Sequence, residues 1–264
     1  MKNGTLLDAR GIDKRFGGVQ ALSEVSFSIR DGEIYGLIGP NGAGKTSLFN
    51  VLTGIYEPDG GTFTFAGAPL DRLKPNQVAE RGIARTFQNI RLFQNLSALE
   101  NVMIGRHVRT RAGVFGAIFR DRATLAEESA ITSRAYQLLD YVGVAARAND
   151  LAKHLAYGDQ RRLEIARALA TEPKLLALDE PAAGMNATET QALKSLLVEI
   201  RRDGTTILLI EHDMKLVMSV CDRVLVLDYG RKIAEGSAAT VQKDPAVIAA
   251  YLGGEISLQA GESR

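Results

Sequence analysis

The chain has 264 residues, 45% of them hydrophobic and 24% charged, and its 32 Lys and Arg against 31 Asp and Glu leave a net charge of +1. A chain this long can bury roughly three quarters of its unfolded surface in one large domain or two small ones, which excludes disorder for its bulk. The balanced charge excludes a nucleic-acid backbone as the main partner, and no stretch approaches either signal-peptide length at the N-terminus or the ~20 apolar residues of a membrane span.

In chain order, the apolar runs Val25–Ile29 and Glu33–Ile38 predict strands, and a glycine-rich loop follows the second. A helix is expected over Thr46–Leu52 and a strand over Thr62–Ala66. From about residue 89 to 170 strand signals are few and helical ones many, including Ala123–Tyr141, so this stretch reads as a helical insert. Strands return at Leu175–Asp179, Thr206–Glu211 and Arg223–Leu227. Their nearly continuous apolar character suits a parallel sheet covered on both faces. Between them, Leu193, Leu196, Leu197 and Ile200 form one stripe of a helix over Thr188–Ile200, stopped near Gly204. The single cysteine, Cys221, forms no intrachain disulfide, reads as a small buried apolar residue and fits a reducing compartment. Asp244 and Pro245 open a last helix that runs to about Leu252, before Gly253 and Gly254. The pattern is α/β: one domain over residues 5–254 with its insert at about 89–170, then a polar tail at 255–264.

The stretch Gly39-Pro40-Asn41-Gly42-Ala43-Gly44-Lys45-Thr46, continued by Ser47, matches the phosphate-loop pattern G-x-x-x-x-G-K-[ST] between a strand and a helix. Glycines let successive backbone N–H groups turn inward on phosphate oxygens, and the helix N-terminus adds the positive end of its dipole. Lys45 supplies a point charge for the β- and γ-phosphates, and Thr46 a hydroxyl for Mg²⁺. The strand Leu175–Asp179 ends in two carboxylates and is expected beside the strand that feeds the loop. Asp179 would then hold Mg²⁺, directly or through water, while Glu180 faces the γ-phosphate as general base for an attacking water.

With these motifs the chain resembles an ATP-binding-cassette (ABC) ATPase over nearly its whole length, about Leu6 to Leu252. The resemblance implies a P-loop NTPase fold: a RecA-like core with a mostly parallel sheet, an N-terminal antiparallel β-subdomain and a helical subdomain insert. It implies ATP and Mg²⁺ as the nucleotide and its ion. Phe16 stands where the family has an adenine-stacking aromatic, and Gln88 where it has a glutamine reaching Mg²⁺ and the water. Leu155-Ala156-Tyr157-Gly158-Asp159 is similar to the signature Leu-Ser-Gly-Gly-Gln, with Ala156 for Ser, Tyr157 for the first Gly and Asp159 for Gln. In the family this loop caps a helix and donates to the γ-phosphate held by the opposite subunit. His212 resembles the switch histidine that senses the γ-phosphate; His107 and His154 have no such context. Pro181–Asn186 stands at the D-loop, with Asn186 for the usual Asp.

The Leu-Ala-Tyr-Gly form, the stretch Glu180–Asn186, the run Ile210–Met218, the arginine-flanked segment Arg106–Arg120 and Tyr251-Leu252-Gly253 are similar to the branched-chain amino-acid importers. That branch implies uptake of branched-chain amino acids driven by ATP hydrolysis, with the ATPase peripheral at the cytoplasmic face of the inner membrane. It implies a second ATPase subunit (a paralogue or a second copy), membrane permease subunits and a periplasmic or extracellular solute-binding protein. The segment Arg106–Arg120 would face the membrane subunits. The ATPase of the lipopolysaccharide exporter shares the Tyr-Leu-Gly ending and is the alternative within the family. Outside transport, a soluble ABC ATPase acting in translation or repair fits less well, because one cassette is present and no coiled-coil insertion. A P-loop kinase would leave the signature-like loop, Gln88 and His212 without a task.

Overall fold

The structure, a computed structural model, describes residues 4–106 and 122–251. Most of Arg106–Arg120, with His107, and the tail 255–264 lie outside the described residues, as do Leu252 and the two glycines that follow it.

Two sheets carry the fold. β1 (Thr5–Phe16), β2 (Val19–Arg30), β4 (Gly60–Phe65) and β5 (Ala68–Pro69) form an antiparallel sheet in the order β2-β1-β4-β5. β3 (Ile34–Ile38), β6 (Ile83–Arg85), β7 (Leu175–Asp179), β8 (Thr206–Ile210), β9 (Arg223–Asp228) and β10 (Arg231–Gly236) form the second, in the order β10-β9-β3-β8-β7-β6. Its strands pair in parallel except for the antiparallel edge β10. The expected antiparallel subdomain and mostly parallel core are both present.

One expectation is corrected. The strand ending in Asp179 is not beside β3; β8 lies between them and pairs with both. The apolar runs of β7 and β8 are equally suited to sit next to β3, and nothing local in either sequence chooses the neighbour. Because β3, β8 and β7 run parallel, their C-terminal ends still emerge on one edge of the sheet.

The helices are α1 (Lys45–Leu52), α2 (Pro75–Arg81), α3 (Ala98–Arg106), α4 (Arg122–Tyr141), α5 (Tyr157–Leu169), α6 (Ala187–Arg202), α7 (Met214–Val220), α8 (Ala238–Val241) and α9 (245–251). Period-2 alternation splits the apolar strands between two cores. Leu176, Leu178, Ile207, Leu209, Val224 and Val226 pack on the side of α3–α7. Leu175, Ala177, Leu208, Ile210, Leu225 and Leu227 pack with α1 and the antiparallel sheet. The predicted stripe of α6 is buried at all four positions, and Gly204 takes the positive φ of 98° that ends the helix. Cys221 is buried, with its thiol pushed up to about 12 by desolvation. The helices α3, α4 and α5 fall between β6 and β7, where the sequence predicts the helical insert, and α4 begins within a residue of the expected start.

Candidate functional site

The phosphate loop links β3 to α1. A Cβ on Gly39 would lie 2.2 Å from the Leu227 carbonyl, and one on Gly44, at φ 99°, would lie 2.7 Å from the Ala21 carbonyl. Only glycine lets the loop press this closely on β2 and β9. The Lys45 ammonium is buried beneath it and donates to the carbonyls of Gly39 (2.7 Å) and Pro40 (2.9 Å). Desolvation lowers its pKa, opposed by attraction to Glu180 and Asp179.

A cleft of about 430 Å³ opens over this loop. Residues 41–47 line it together with Gln88 and Glu180. Val19, Gln20, Ala21, Tyr229 and Gly230 complete the lining, and sequence reasoning did not single them out. The Tyr229-Gly230 turn between the runs of β9 and β10 is a hairpin signal that marks the position. A larger cleft of about 600 Å³, beside Tyr141 and Asp203, contains none of the motif residues.

The acidic pair splits at the end of β7. Asp179 is only 4% exposed, and its carboxyl is pushed up to about 6, chiefly by desolvation. The Arg85 guanidinium opposes that rise, and Glu180 adds to it. Glu180 adopts a left-handed φ of 48° while its N–H continues the ladder to the Ile210 carbonyl. Its carboxylate accepts from Gln88 Nε2 at 3.0 Å and lies 3.8 Å from His212 Nδ1. His212, largely exposed, sits in the turn between β8 and α7. Glu211, fully buried, accepts from the Ala182 N–H at 2.8 Å and ties the segment after Glu180 to β8. Thus Gln88, Glu180, His212 and the phosphate loop converge, although they are up to 173 positions apart in sequence, from Gly39 to His212.

Gly39, Pro40, Asp179 and His212 adjoin lining residues without lining the cleft themselves, and two predicted groups stand apart from it. Phe16, at the end of β1, is half exposed and is not part of the lining; its ring meets Tyr56 edge-on at 5.0 Å. Residues Ala156–Asp159 form the start of α5, with Ala156 at the N-cap making no side-chain bond. They also do not reach the phosphate loop of their own chain. Asn186 caps α6 by accepting from the Glu189 N–H at 3.0 Å, a role an Asn performs as well as an Asp.

Among the described residues no group of three His, Cys, Asp or Glu side chains is placed to hold a metal. The donors that fit Mg²⁺ are oxygens: the Thr46 hydroxyl, the Asp179 carboxylate and the Gln88 amide, a set that leaves positions for phosphate and water. A buried carboxylate as poorly compensated as Asp179 favours a nearby cation.

A phosphate loop leading into a helix, an acidic pair at the end of a nearby parallel strand and an antiparallel sheet beside the core define a P-loop nucleoside-triphosphatase of the cassette type. A family model described as ABC transporter matches residues 22–183, and one described as branched-chain amino acid ATP-binding cassette transporter matches residues 231–256. The chain belongs to the ABC transporter ATP-binding family, in its branched-chain amino acid branch, and is an ATPase subunit. It is 47% identical over 249 residues to the high-affinity branched-chain amino acid transport ATP-binding protein LivG of Salmonella typhimurium, covering 94% of this chain and 98% of LivG. BraF of Pseudomonas aeruginosa, named for the same transport, is 42% identical with the same coverage. Among solved structures, an ATP-binding cassette of an ABC transporter in its ADP conformation superposes with a TM-score of 0.83 at 31% identity, covering 95% of this chain and 99% of that one.

Proposed function

We propose that this chain drives the import of branched-chain amino acids by binding and hydrolysing ATP at the cleft over residues 39–47, with Glu180 as general base. The observation that carries the reading is the shared cleft: the phosphate loop, Gln88 and Glu180 line one cavity, and the last two touch at 3.0 Å. Backbone N–H groups of the loop hold the phosphates, and the Lys45 ammonium exchanges its two carbonyl partners for phosphate oxygens. Thr46, Asp179 and Gln88 would hold Mg²⁺, which would supply positive charge to offset that of the phosphates. Glu180 takes a proton from the attacking water, Gln88 orients both, and His212 donates to the γ-phosphate.

Phe16 supplies the face for adenine stacking from the hairpin whose second strand lines the cleft. The start of α5, residues 156–159, faces the γ-phosphate of a second ATPase subunit, so two chains complete two sites. Membrane permease subunits and a solute-binding protein belong to the working assembly, and the chain lies peripherally at the cytoplasmic face of the inner membrane. An apolar groove of about 370 Å³ lined by Val78, Phe87, Phe93 and Ile104 adjoins Arg106, where the segment read as facing the membrane subunits begins. None of the described helices is long and apolar enough to cross a membrane, which fits a reading in which the permease supplies the membrane path.

The test is affinity isolation of the full chain from solubilised membranes, with radiolabelled leucine uptake measured after deletion. Permease subunits should copurify, and uptake should fall and return with the wild-type gene but not with Glu180→Gln. Unchanged uptake after deletion, with no membrane protein bound, would overturn the reading.

A further inference from the structure

The mechanism above needs Gln88 in one place, yet Gln88 sits on an irregular segment between β6 and α3 that no ladder holds. What holds it is a side chain from α5. Arg161 is 3% exposed and spends its guanidinium on that segment: Nη1 donates to the Phe87 carbonyl at 2.8 Å, and Nη2 donates to the Gln88 carbonyl. Glu164, one turn further along α5 and 1% exposed, accepts from the N–H groups of Phe87 and Arg91, both at 3.4 Å. It also pairs with Arg161 at 3.4 Å. The backbone on both sides of Gln88 is thus satisfied from one helix face, by a buried pair in which each charge compensates the other.

The same guanidinium turns the other way to the start of its own helix. Nε and Nη2 of Arg161 donate to the Tyr157 hydroxyl at 3.2 and 3.0 Å. Tyr157 stands where the signature pattern has glycine, so this link exists because the chain departs from that pattern. The Tyr157 ring also lies against the segment that follows Glu180: a Cβ on Gly184 would be 3.1 Å from its Cε1. Beside it, a Cβ on Gly158 would meet Glu189 at 2.6 Å. The segment with Gln88 and the first turn of α5 therefore meet at one buried cation, and the segment after Glu180 adjoins them through the Tyr157 ring.

We propose that Arg161 is a positioning residue for ATP hydrolysis: it fixes the Gln88 backbone so that the amide reaches Glu180, and through the Tyr157 hydroxyl it makes the signature turn move with Gln88 as one body. The inference rests on the reading of Gln88 and Glu180 as the pair that handles water. A planar fork is required, because it spans two successive carbonyls and a hydroxyl at once; a lysine ammonium reaches fewer of them.

The experiment is a double-variant cycle on the ATPase of the full chain, reading kcat and KM separately. Arg161→Met should lower kcat by about tenfold or more with KM for ATP within about twofold, and Arg161→Lys should recover part of the loss. Tyr157→Phe, which removes only the hydroxyl, should lower kcat by about threefold. The decisive comparison adds Gln88→Ala: if Arg161 acts through Gln88, the double variant is no slower than the slower single one. Losses that multiply, a rise in KM at constant kcat, or full activity in Arg161→Met would overturn the proposal. Should Arg161→Met fail to fold, Arg161→Lys and Tyr157→Phe enter the same cycle with the same criterion. Gln88→Ala alone reports on the underlying reading: full kcat in that single variant removes the role of Gln88 itself, whereas multiplying losses remove only the role of Arg161.

Discussion

Replacing Asp179 by Asn should stabilise the nucleotide-free, metal-free chain near neutral pH, against the usual expectation for a site residue. Asp179 sits at the end of a fully buried strand, and its carboxyl rises from 3.8 to about 6 because desolvation outweighs the help of Arg85 and Arg161, with Glu180 and Glu211 adding repulsion. Below pH 4 the group is protonated in both folded and unfolded chains and has no effect. Between about pH 4 and 6 the unfolded chain releases its proton while the folded chain keeps it, so stability falls as pH rises. Above about pH 6 the cost is constant. A rise from 3.8 to about 6, at about 1.4 kcal/mol per pH unit, sets this cost at no more than ~3 kcal/mol. The amide has no such titration. Urea unfolding with chelator present, repeated from pH 4 to 8, should show the Asp179→Asn variant gaining on wild type across pH 4–6 and keeping its advantage above. Excess Mg²⁺ and ATP should reverse the order, because only the carboxylate gains from the cation. Parallel pH profiles, or a variant less stable at pH 7.5, would refute the account of Asp179 as a carboxylate held for a cation.

Glu180→Gln keeps an oxygen to accept from Gln88, so ATP affinity should stay near wild type while turnover falls by roughly 10²- to 10⁴-fold; normal steady-state hydrolysis would dismiss Glu180 as the base. Lys45→Ala removes a charged donor held under the loop and should weaken ATP binding by about 100-fold in equilibrium titration; unchanged affinity would count against the phosphate cradle. Asn186→Ala removes the side-chain cap on the Glu189 N–H while leaving the backbone N–H of residue 186 to donate to the Glu189 carboxylate, and should cost about 1 kcal/mol in thermal unfolding, whereas Asn186→Asp should be nearly neutral.

Local pattern made much of this molecule readable. The stripe Leu193–Ile200 fits one helix face, and the runs of β7, β8 and β9 lie within a residue of their expected bounds because their continuous burial leaves a continuous apolar signal. β1 carries no such signal. Its sequence mixes Asp8, Arg10, Asp13 and Lys14 with Leu6, Leu7 and Ile12, and shifts in register against β2 near Gly11 break the period of two. β6 has only three residues, too few to show any period. The order of the central strands was beyond reach for another reason: pairing of β8 with both β3 and β7 is decided by tertiary fit, not by either run. At the site, the phosphate loop and acidic pair were legible because their spacing encodes chemistry. Arg161 and Glu164 were not, since a charged pair on a helix normally reads as a solvated face, and only the fold buries it.

The two carboxylates at the end of β7 show how a chain gives neighbours different tasks. Asp179 completes the strand, so its side chain stays in the sheet's low-dielectric interior, where charge is costly unless a cation compensates. Glu180 leaves the strand through a left-handed φ of 48°, a conformation that costs a non-glycine residue about 1–2 kcal/mol. Ordinary extended geometry would alternate the side chain to the opposite face of the sheet from Asp179. The turned backbone instead carries the carboxylate over the sheet edge into the cleft, where Gln88 and His212 meet it. Glu180 remains anchored because its N–H still donates to Ile210, and Glu211 ties down Ala182 just beyond it. The strain is thus held by hydrogen bonds on both sides of the residue, and what it yields is one carboxylate turned to the cleft beside another buried in the sheet, one peptide bond apart, the arrangement that the proposed division into base and cation holder needs.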